Sequence, residues 1–486
     1  MKTDVLVVGS GAGGTVTAVT LAEAGRDVVV VEEGRRFTPQ EYGTTPTDAM
    51  SRLFRARGMN PIMGSVPVAY AEGCVVGGST EINSGFWSRP PAELLAHWKY
   101  EFNIAEASES DLVEHYAWAE RALGVGPLSA PWPPSTAVFD RGLRAMGWKG
   151  GETPRAAPGC ANSNTCAQGC ARGAKQGMSL ALLPRAEASG ARILSGWRVE
   201  RLLRDGARIR GVRARRVHGA DAGRRVEIHA EHVFVCGGPT ETPALLRRSG
   251  ITHGVGNTLG IHPYLKVVAR FPEIIDADKS VMPLLQVKEF APDITMGGAY
   301  FTPGHLAVML NENPATELRD RDARRRMAAY YVGVRGTGRG SVRPSWVGDG
   351  LPRIHYWMSR EDVTNLSRGF AHMCRLMLAA GAEVIYPATF GLAPVRSEAD
   401  ARVWLERDLP WADLALQTVH VFSSCPIGER PERCAADSFG RVRGVTGLAI
   451  NDASMLPDSP GVNPQATIMA MARRNALAFL ARTRSG

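Results

Sequence analysis

The sequence predicts an α/β protein, and three observations near its N-terminus predict it. Residues 4–8 form a short apolar run of β type. Gly9, Gly11 and Gly14 then give GxGxxG at the start of a helical pattern that runs to about residue 24. A second apolar run, 28–31, ends on Glu32. Strand, glycine loop, helix and second strand in this order open a Rossmann-type dinucleotide-binding domain.

Each piece has a physical role. The first glycine permits the tight turn, the second lets backbone amides approach a pyrophosphate, and the third lets helix and strand pack closely. Glu32, 18 residues beyond Gly14, is placed to accept a hydrogen bond from a ribose hydroxyl. An acid at this strand end, where an arginine would meet a 2′-phosphate, points to FAD or NAD and away from NADP. The fingerprint alone does not choose between those two.

A chain of 486 residues is more than one small core can use, so two domains are expected. Hydrophobic residues at 44% and charged residues at 22%, with no low-complexity tract, exclude a disordered or fibrous chain. The formal charge of +9 invites a nucleic-acid reading, but only 7 of the 57 basic residues are lysine and the arginines are scattered through predicted helices and strands. No nucleic-acid partner is expected. The N-terminal run enters a glycine loop without a long apolar core or a small-residue cleavage site, and no apolar stretch approaches bilayer-spanning length. A cytoplasmic protein without membrane insertion is therefore expected. The eight cysteines do not form a disulfide scaffold for a reducing compartment and read mostly as free thiols.

Three further blocks choose the cofactor. Residues 73–90 read GCVVGGSTEINSGFWSRP, 238–251 read GPTETPALLRRSGI, and 420–470 run from HVFSSCPIG to NDASMLPDSPGVNPQATIMA. In this order, over nearly the whole chain, they resemble the glucose-methanol-choline (GMC) family of FAD-dependent oxidoreductases, with Thr252 standing where a glycine usually follows the second block. The resemblance places Gly77, Gly78 and Ser79 against the diphosphate and flavin, and Asn83 beside the isoalloxazine. Some members tether FAD through a histidine one residue before this asparagine; here that residue is Ile82, so non-covalent FAD is expected. Val199, in the β-like stretch 191–203, is implied to give backbone contacts to adenine. Asp452, after the apolar run 448–450, resembles the acid that holds the dinucleotide near its pyrophosphate.

The catalytic region follows from the same resemblance. His420 opens HVFSSCPIG where the family commonly reads HPxGTCxMG, so Val421 replaces the proline and Ser423-Ser424 replace Gly-Thr. Asn463 stands where members carry a second histidine or an asparagine, which makes this chain similar to the His/Asn subclass. Oxidising a C–H beside a hydroxyl requires the O–H proton to leave while hydride passes to flavin N5; an imidazole accepts that proton, and an amide donates to the developing alkoxide. Asn463 followed by Pro464 and the helical run 465–480 also reads as an N-cap with Pro at N1, whose positive helix end faces the flavin. His262, in GNTLGIHPYLKV, is a candidate neighbour of the catalytic pair, and Cys425 reads as packing.

Cys160, Cys166 and Cys170 lie outside the basic flavin plan. Three thiolates at this spacing suit an iron–sulfur cluster, as in some bacterial relatives; free thiols or one local disulfide is the favoured reading. The FAD-binding domain is expected to be discontinuous, over 1–90, 190–262 and 435–486. Residues 91–189 and 263–434 are expected to form a substrate domain built on an antiparallel sheet with flanking helices. The resemblance implies oxidation of a small-molecule alcohol, with a sugar or polyol, including antibiotic-pathway amino sugars, preferred over a sterol. The electron acceptor is O2 or an external carrier. A flavin monooxygenase or amine oxidase is the alternative, since both share the N-terminal fingerprint.

Overall fold

The computed structural model describes residues 1–43, 45–128, 131–311, 321–347 and 350–484. Two large sheets organise the chain. The first runs in spatial order Arg192–Ser195, Val28–Glu32, Lys2–Val8, Arg225–Val235, Arg208–Arg216 and Trp197–Asp205, with Leu448–Ile450 beside Arg225–Val235. Lys2–Val8 pairs in parallel with strands on both sides, Val5 facing Val28 and Val8 facing Val235. Val28–Glu32 is buried at every position. This is why it reads as an unbroken apolar run: a central parallel strand has both faces covered.

Helix Ala12–Glu23 is buried from Gly13 to Ala22 and packs against the C-terminal helix Gln465–Arg484. Glycines allow that approach. A Cβ on Gly14 would stand 2.0 Å from the Gly9 carbonyl oxygen, and one on Gly13 2.0 Å from that of Asn451. A Cβ on Gly11 would meet nothing within 4 Å. The expected close-packing role of Gly14 is thus shared with Gly13, and Gly11 faces open space.

The second sheet is built around Tyr264–Arg270, antiparallel to Met327–Val334 and to Val384–Pro387. Helix Arg360–Ala379 packs on Met327–Val334, its start fixed by a capping box between Ser359 and Asp362. The predicted antiparallel sheet with flanking helices is present, with two parallel exceptions, at Arg353–Trp357 with Asn60–Gly64 and at Leu416–Thr418 with Val68–Tyr70.

Those pairs also correct the expected domain boundary. Asn60–Gly64 and Val68–Tyr70 fall within segment 1–90, yet they belong to the second sheet. The physical reason is that Ile62, Val68 and Tyr70 find their core under that sheet. Alternation marks such residues as one-face-buried without naming the sheet that buries them. Among the described residues, no helix is long and apolar enough to cross a membrane.

Candidate active site

A cavity of about 590 Å3 is lined by both sheets and runs from the Gly9–Gly13 turn to His420 and Asn463. Its volume lies within the range of roughly 300–1,000 Å3 usual for small-molecule and cofactor sites.

At the nucleotide end, Glu32 Oε2 accepts from Ser10 N–H at 2.9 Å and Ser10 Oγ–H at 2.7 Å, while Oε1 accepts from Gly34 N–H at 2.7 Å. Burial raises its carboxyl above the ordinary range against the pull of these bonds. The acid expected to meet a ribose is thus also a brace for the glycine turn. Ser10 Oγ in turn accepts from Gly77 N–H at 2.9 Å, tying the second glycine loop to the first. Gly77 and Gly78 both have positive φ, at +98° and +59°, and a Cβ on Gly78 would stand 2.9 Å from Gly11 Cα. Only glycine serves there without strain. Ser79 Oγ accepts from Gly73 N–H at 3.0 Å. Asp452 is buried; its Oδ2 accepts from Gly238 N–H at 2.8 Å and Thr242 Oγ1–H at 2.6 Å, and its Oδ1 from Ser454 N–H at 2.7 Å. Burial raises this carboxyl too. Val199 lines the cavity at a β-bulge, where the ladder register shifts between Val199 and Arg201. A bulge leaves a backbone group out of the ladder, which suits a backbone contact to a ligand.

At the other end, two short strands set His420. Gly260–Ile261 pairs antiparallel with Val421–Phe422, and His262 N–H donates to the His420 carbonyl at 3.1 Å. The two imidazoles are therefore neighbours, with Nδ1 to Nδ1 at 3.0 Å. Tyr264 Oη lies 2.5 Å from His420 Nδ1, and Asn463 Nδ2 lies 3.2 Å from His420 Nε2. Asn463 Oδ1 accepts from Gln286 Nε2–H at 3.5 Å, and Gln286 also donates to Tyr331 Oη at 2.9 Å. Burial pushes the His420 imidazole down to about 3 although part of the ring faces the cavity, and pushes His262 well below the ordinary value.

One expectation changes here. Helix Gln465–Arg484 begins after Pro464, and the Asn463 side chain bonds His420 and Gln286, so Asn463 faces the histidine and not the helix backbone. Ser423 takes φ +59° at the position where the family pattern has glycine, and its carbonyl accepts from Thr258 Oγ1–H at 2.7 Å. Asn83 bridges to the same region, donating from Nδ2 to Gln465 Oε1 at 2.6 Å, and its Oδ1 accepts from Gly85 N–H at 3.0 Å.

All eight cysteines are free, so the local disulfide is absent. The sulfurs of Cys160, Cys166 and Cys170 do not gather as a ligand set. Among the described residues, only Asp4, Glu231 and His232 bring three metal-capable atoms within 4.8 Å of one another. Protein donors hold the sulfurs instead: Arg155 reaches Cys160 Sγ at 3.7 Å and Cys166 Sγ at 3.2 Å, and Lys175 N–H reaches Cys170 Sγ at 3.4 Å. The buried Lys175 Nζ donates to the carbonyls of Glu81, Asn83 and Cys166, coupling this loop to the segment carrying Asn83.

Sequence reasoning missed a buried charge cluster lining the nucleotide end. Arg55 lies 3.0 Å from Glu33, 3.3 Å from Glu72 and 3.4 Å from Glu241. Arg198 lies 2.9 Å from Glu33 and 3.2 Å from Glu241. Burial alone would raise the Glu33 carboxyl, but Arg55 and Arg198 beside it hold it down at about 2. No spacing rule joins residues 33, 55, 72, 198 and 241. Tyr264 was also missed, though period-2 alternation from His262 on a strand puts it on the same face.

Comparison with known proteins matches this geometry to one family. GMC oxidoreductase models match residues 3–264 for the N-terminal part and 337–472 for the C-terminal part. The chain belongs to the GMC oxidoreductase family. An uncharacterized GMC-type oxidoreductase, y4nJ, of Sinorhizobium fredii is 37% identical over 99% of this chain and 95% of its own length. The long-chain-alcohol oxidase FAO3 of Arabidopsis thaliana is 26% identical over 97% of this chain and 67% of its own. The 6'''-hydroxyparomomycin C oxidase of Streptomyces lividus is 26% identical over 98% of this chain and 91% of its own. In fold, this GMC oxidoreductase is similar to pyridoxine 4-oxidase from Mesorbium loti, with a TM-score of 0.75 at 18% identity over 99% of both chains. As a GMC member it is an FAD-dependent oxidoreductase acting on the CH–OH group of a small-molecule alcohol, with electrons passed to an acceptor. The cradle fits that cofactor: an open space at Gly11, paired positive-φ glycines and a helix N-terminus converge on one elongated cavity.

Proposed function

We propose that this GMC oxidoreductase oxidises a polyhydroxylated or sugar-type alcohol to the aldehyde or ketone, with His420 as the base and Asn463 as its partner. The observation that carries the reading is the His420 Nε2 to Asn463 Nδ2 contact of 3.2 Å at the wall of the cavity that begins at the glycine turn. When bound, FAD supplies the hydride acceptor. Gly9, Gly11, Gly14, Gly77, Gly78 and Ser79 would hold its diphosphate, Glu32 its ribose and Val199 its adenine. Asp452 would brace the pyrophosphate region, with Asn83 and Pro464 at the flavin. Ile82, buried at the cavity wall, offers no nucleophile there, which supports non-covalent binding.

A neutral His420 accepts the hydroxyl proton on Nε2, and Asn463 Nδ2–H donates to the oxygen as negative charge develops. The polar lining beyond this pair, Gln168, Lys266, Tyr300, His305 and Gln417, favours a substrate with several hydroxyls. Met282 and Val419 on the same wall, together with the likeness to a long-chain-alcohol oxidase, favour a second reading, a long apolar alcohol. Anaerobic bleaching of the flavin bands by sorbitol, paromomycin, pyridoxine and 1-dodecanol separates the two. Reduction by 1-dodecanol alone overturns the first reading.

Two expected results follow from the cavity. Gly11→Ala is expected to fold with a melting temperature near that of the parent but to purify with little FAD, because its new methyl enters only ligand space. Gly14→Ala is expected to fail at folding, because its methyl collides with backbone. The flavin absorbance per polypeptide and a thermal melt check both; full FAD content in Gly11→Ala contradicts the diphosphate assignment.

The second concerns pH. With His420 held neutral down to about 3, the limiting rate of flavin reduction is expected to stay flat from pH 8 to pH 5. A base titrating near the ordinary 6.5 would lose activity over that span. The sign for stability follows from the same burial. Below pH 6.5 the unfolded chain binds protons on these histidines that the folded chain does not, so stability is full above 6.5 and falls as pH drops toward 3. Melts at pH 7.5 and 5.5 check it.

A further inference from the structure

We propose that His262 is a positioning residue that fixes the tautomer of His420, holding the proton on Nδ1 so that Nε2 presents its lone pair to the alcohol. This rests on the reading of His420 as the base. The hydrogen positions follow from what each partner can do. Asn463 Oδ1 accepts from Gln286, which turns the Asn463 amide nitrogen, a donor only, toward His420 Nε2. Nε2 then carries the lone pair, which the alcohol O–H takes over from the Asn463 amide on binding, and the ring hydrogen sits on Nδ1.

Two atoms face that hydrogen, Tyr264 Oη at 2.5 Å and His262 Nδ1 at 3.0 Å. For His262 Nδ1 to accept, its own hydrogen must sit on Nε2. There Ser459 Oγ lies 2.7 Å away, buried and able to accept. Ser459, His262 and His420 thus form one directed chain of donors and acceptors that ends at the cavity. The His262 ring is buried and packs edge-on against Phe422 at a centroid distance of 4.9 Å, with its Nδ1 edge toward His420.

In the reaction, the alcohol O–H bond breaks, its electron pair stays on the oxygen, and the proton forms the new N–H bond at His420 Nε2. The resulting imidazolium keeps its Nδ1–H directed at His262. An orienting acceptor of this kind stabilises both the correct tautomer and the cation that follows. His262, unlike His420, does not line the cavity; it acts through His420.

The test compares the holoenzyme with His262→Asn, which keeps an acceptor oxygen where Nδ1 stood, and His262→Phe, which fills the space without one. Protein labelled with 15N only at histidine, with the His420 signals assigned by their loss in His420→Gln, reports the tautomer without turnover. The parent and His262→Asn are expected to show His420 protonated at Nδ1 and unprotonated at Nε2, and His262→Phe to lose that pattern. The limiting rate with the panel alcohol that reduces the parent fastest is expected to fall roughly 10–100-fold in His262→Phe, within about fivefold of the parent in His262→Asn, with KM little changed in both. A parent spectrum with His420 protonated at Nε2 overturns the proposal, and so does a parent-like rate and spectrum in His262→Phe. If His262→Phe does not fold, the parent spectrum and His262→Asn still decide. Failure of the underlying base assignment looks different: His420→Ala then turns over normally, whatever the tautomer.

Discussion

His420→Ala is expected to slow alcohol-driven flavin reduction by roughly 10²–10⁴-fold while the purified protein keeps its FAD. The size follows from what is removed. His420 Nε2 stands 3.2 Å from Asn463 Nδ2 at the cavity wall, and alanine leaves the hydroxyl proton without an acceptor at that place. FAD is retained because the glycine turn, Glu32 and Asp452 lie at the other end of the cavity and are braced by Ser10, Gly34, Gly238, Thr242 and Ser454, independently of His420. Asn463→Ala is expected to lose less, about tenfold, since it removes one hydrogen bond to developing charge and leaves the base. Rapid mixing under argon with the best panel alcohol, followed at the flavin band, measures both. Near-parental reduction in His420→Ala would remove the assignment of the base and leave the family and the cofactor untouched.

Arg55→Met is expected to cost about 3–5 kcal/mol of stability, because it leaves the buried Glu72 and Glu241 and the part-buried Glu33 facing a methionine. Arg55 lies within 3.4 Å of Glu33, Glu72 and Glu241 together. Arg198 continues to compensate Glu33 and Glu241, so Glu72 is the carboxylate most exposed to the loss. Its other partners are the Thr240 hydroxyl at 2.9–3.0 Å and the Asn60 amide at 3.3 Å, neither of them charged. Burial already raises the Glu72 carboxyl, and removing the arginine raises it further, so it takes up a proton on folding. Thermal melts with and without added FAD measure the loss. The double variant Arg55→Met/Glu72→Gln is expected to recover part of it by removing the orphaned charge. A melting temperature unchanged by Arg55→Met would mean that this cluster contributes nothing to the fold.

The same cluster marks where sequence reading stops. Local signals were legible because their physics is local. Strand, turn, helix and acid in 4–32 follow one another in the chain, and their boundaries moved by two residues or fewer in the structure. The start of helix Arg360–Ala379 is likewise local, since its capping box between Ser359 and Asp362 lies at that start. The His420 and Asn463 assignments came from a family pattern, and the structure brings the two side chains together although 43 residues separate them.

What was not legible depended on which distant segment fills a space. The hairpin 60–70 joins the second sheet because its apolar face finds a core there. The Asn463 amide turned from helix cap to histidine partner because His420 stands within reach. The Cys160, Cys166 and Cys170 sulfurs met Arg155 and Lys175 before they met each other.

By itself, then, the amino-acid order determined the nucleotide-binding unit, because backbone conformation and hydrophobic period act over a few residues, while the choice of FAD and the naming of His420 and Asn463 needed the family resemblance as well. The tertiary structure alone decided which charges neutralise one another around the cofactor cradle. It also decided which sheet takes each strand, and that His262 and Tyr264 stand beside His420 with Ser459 behind His262. Burial and hydrogen-bond direction are properties of contacts between distant segments, and they exist only once the chain has closed on itself.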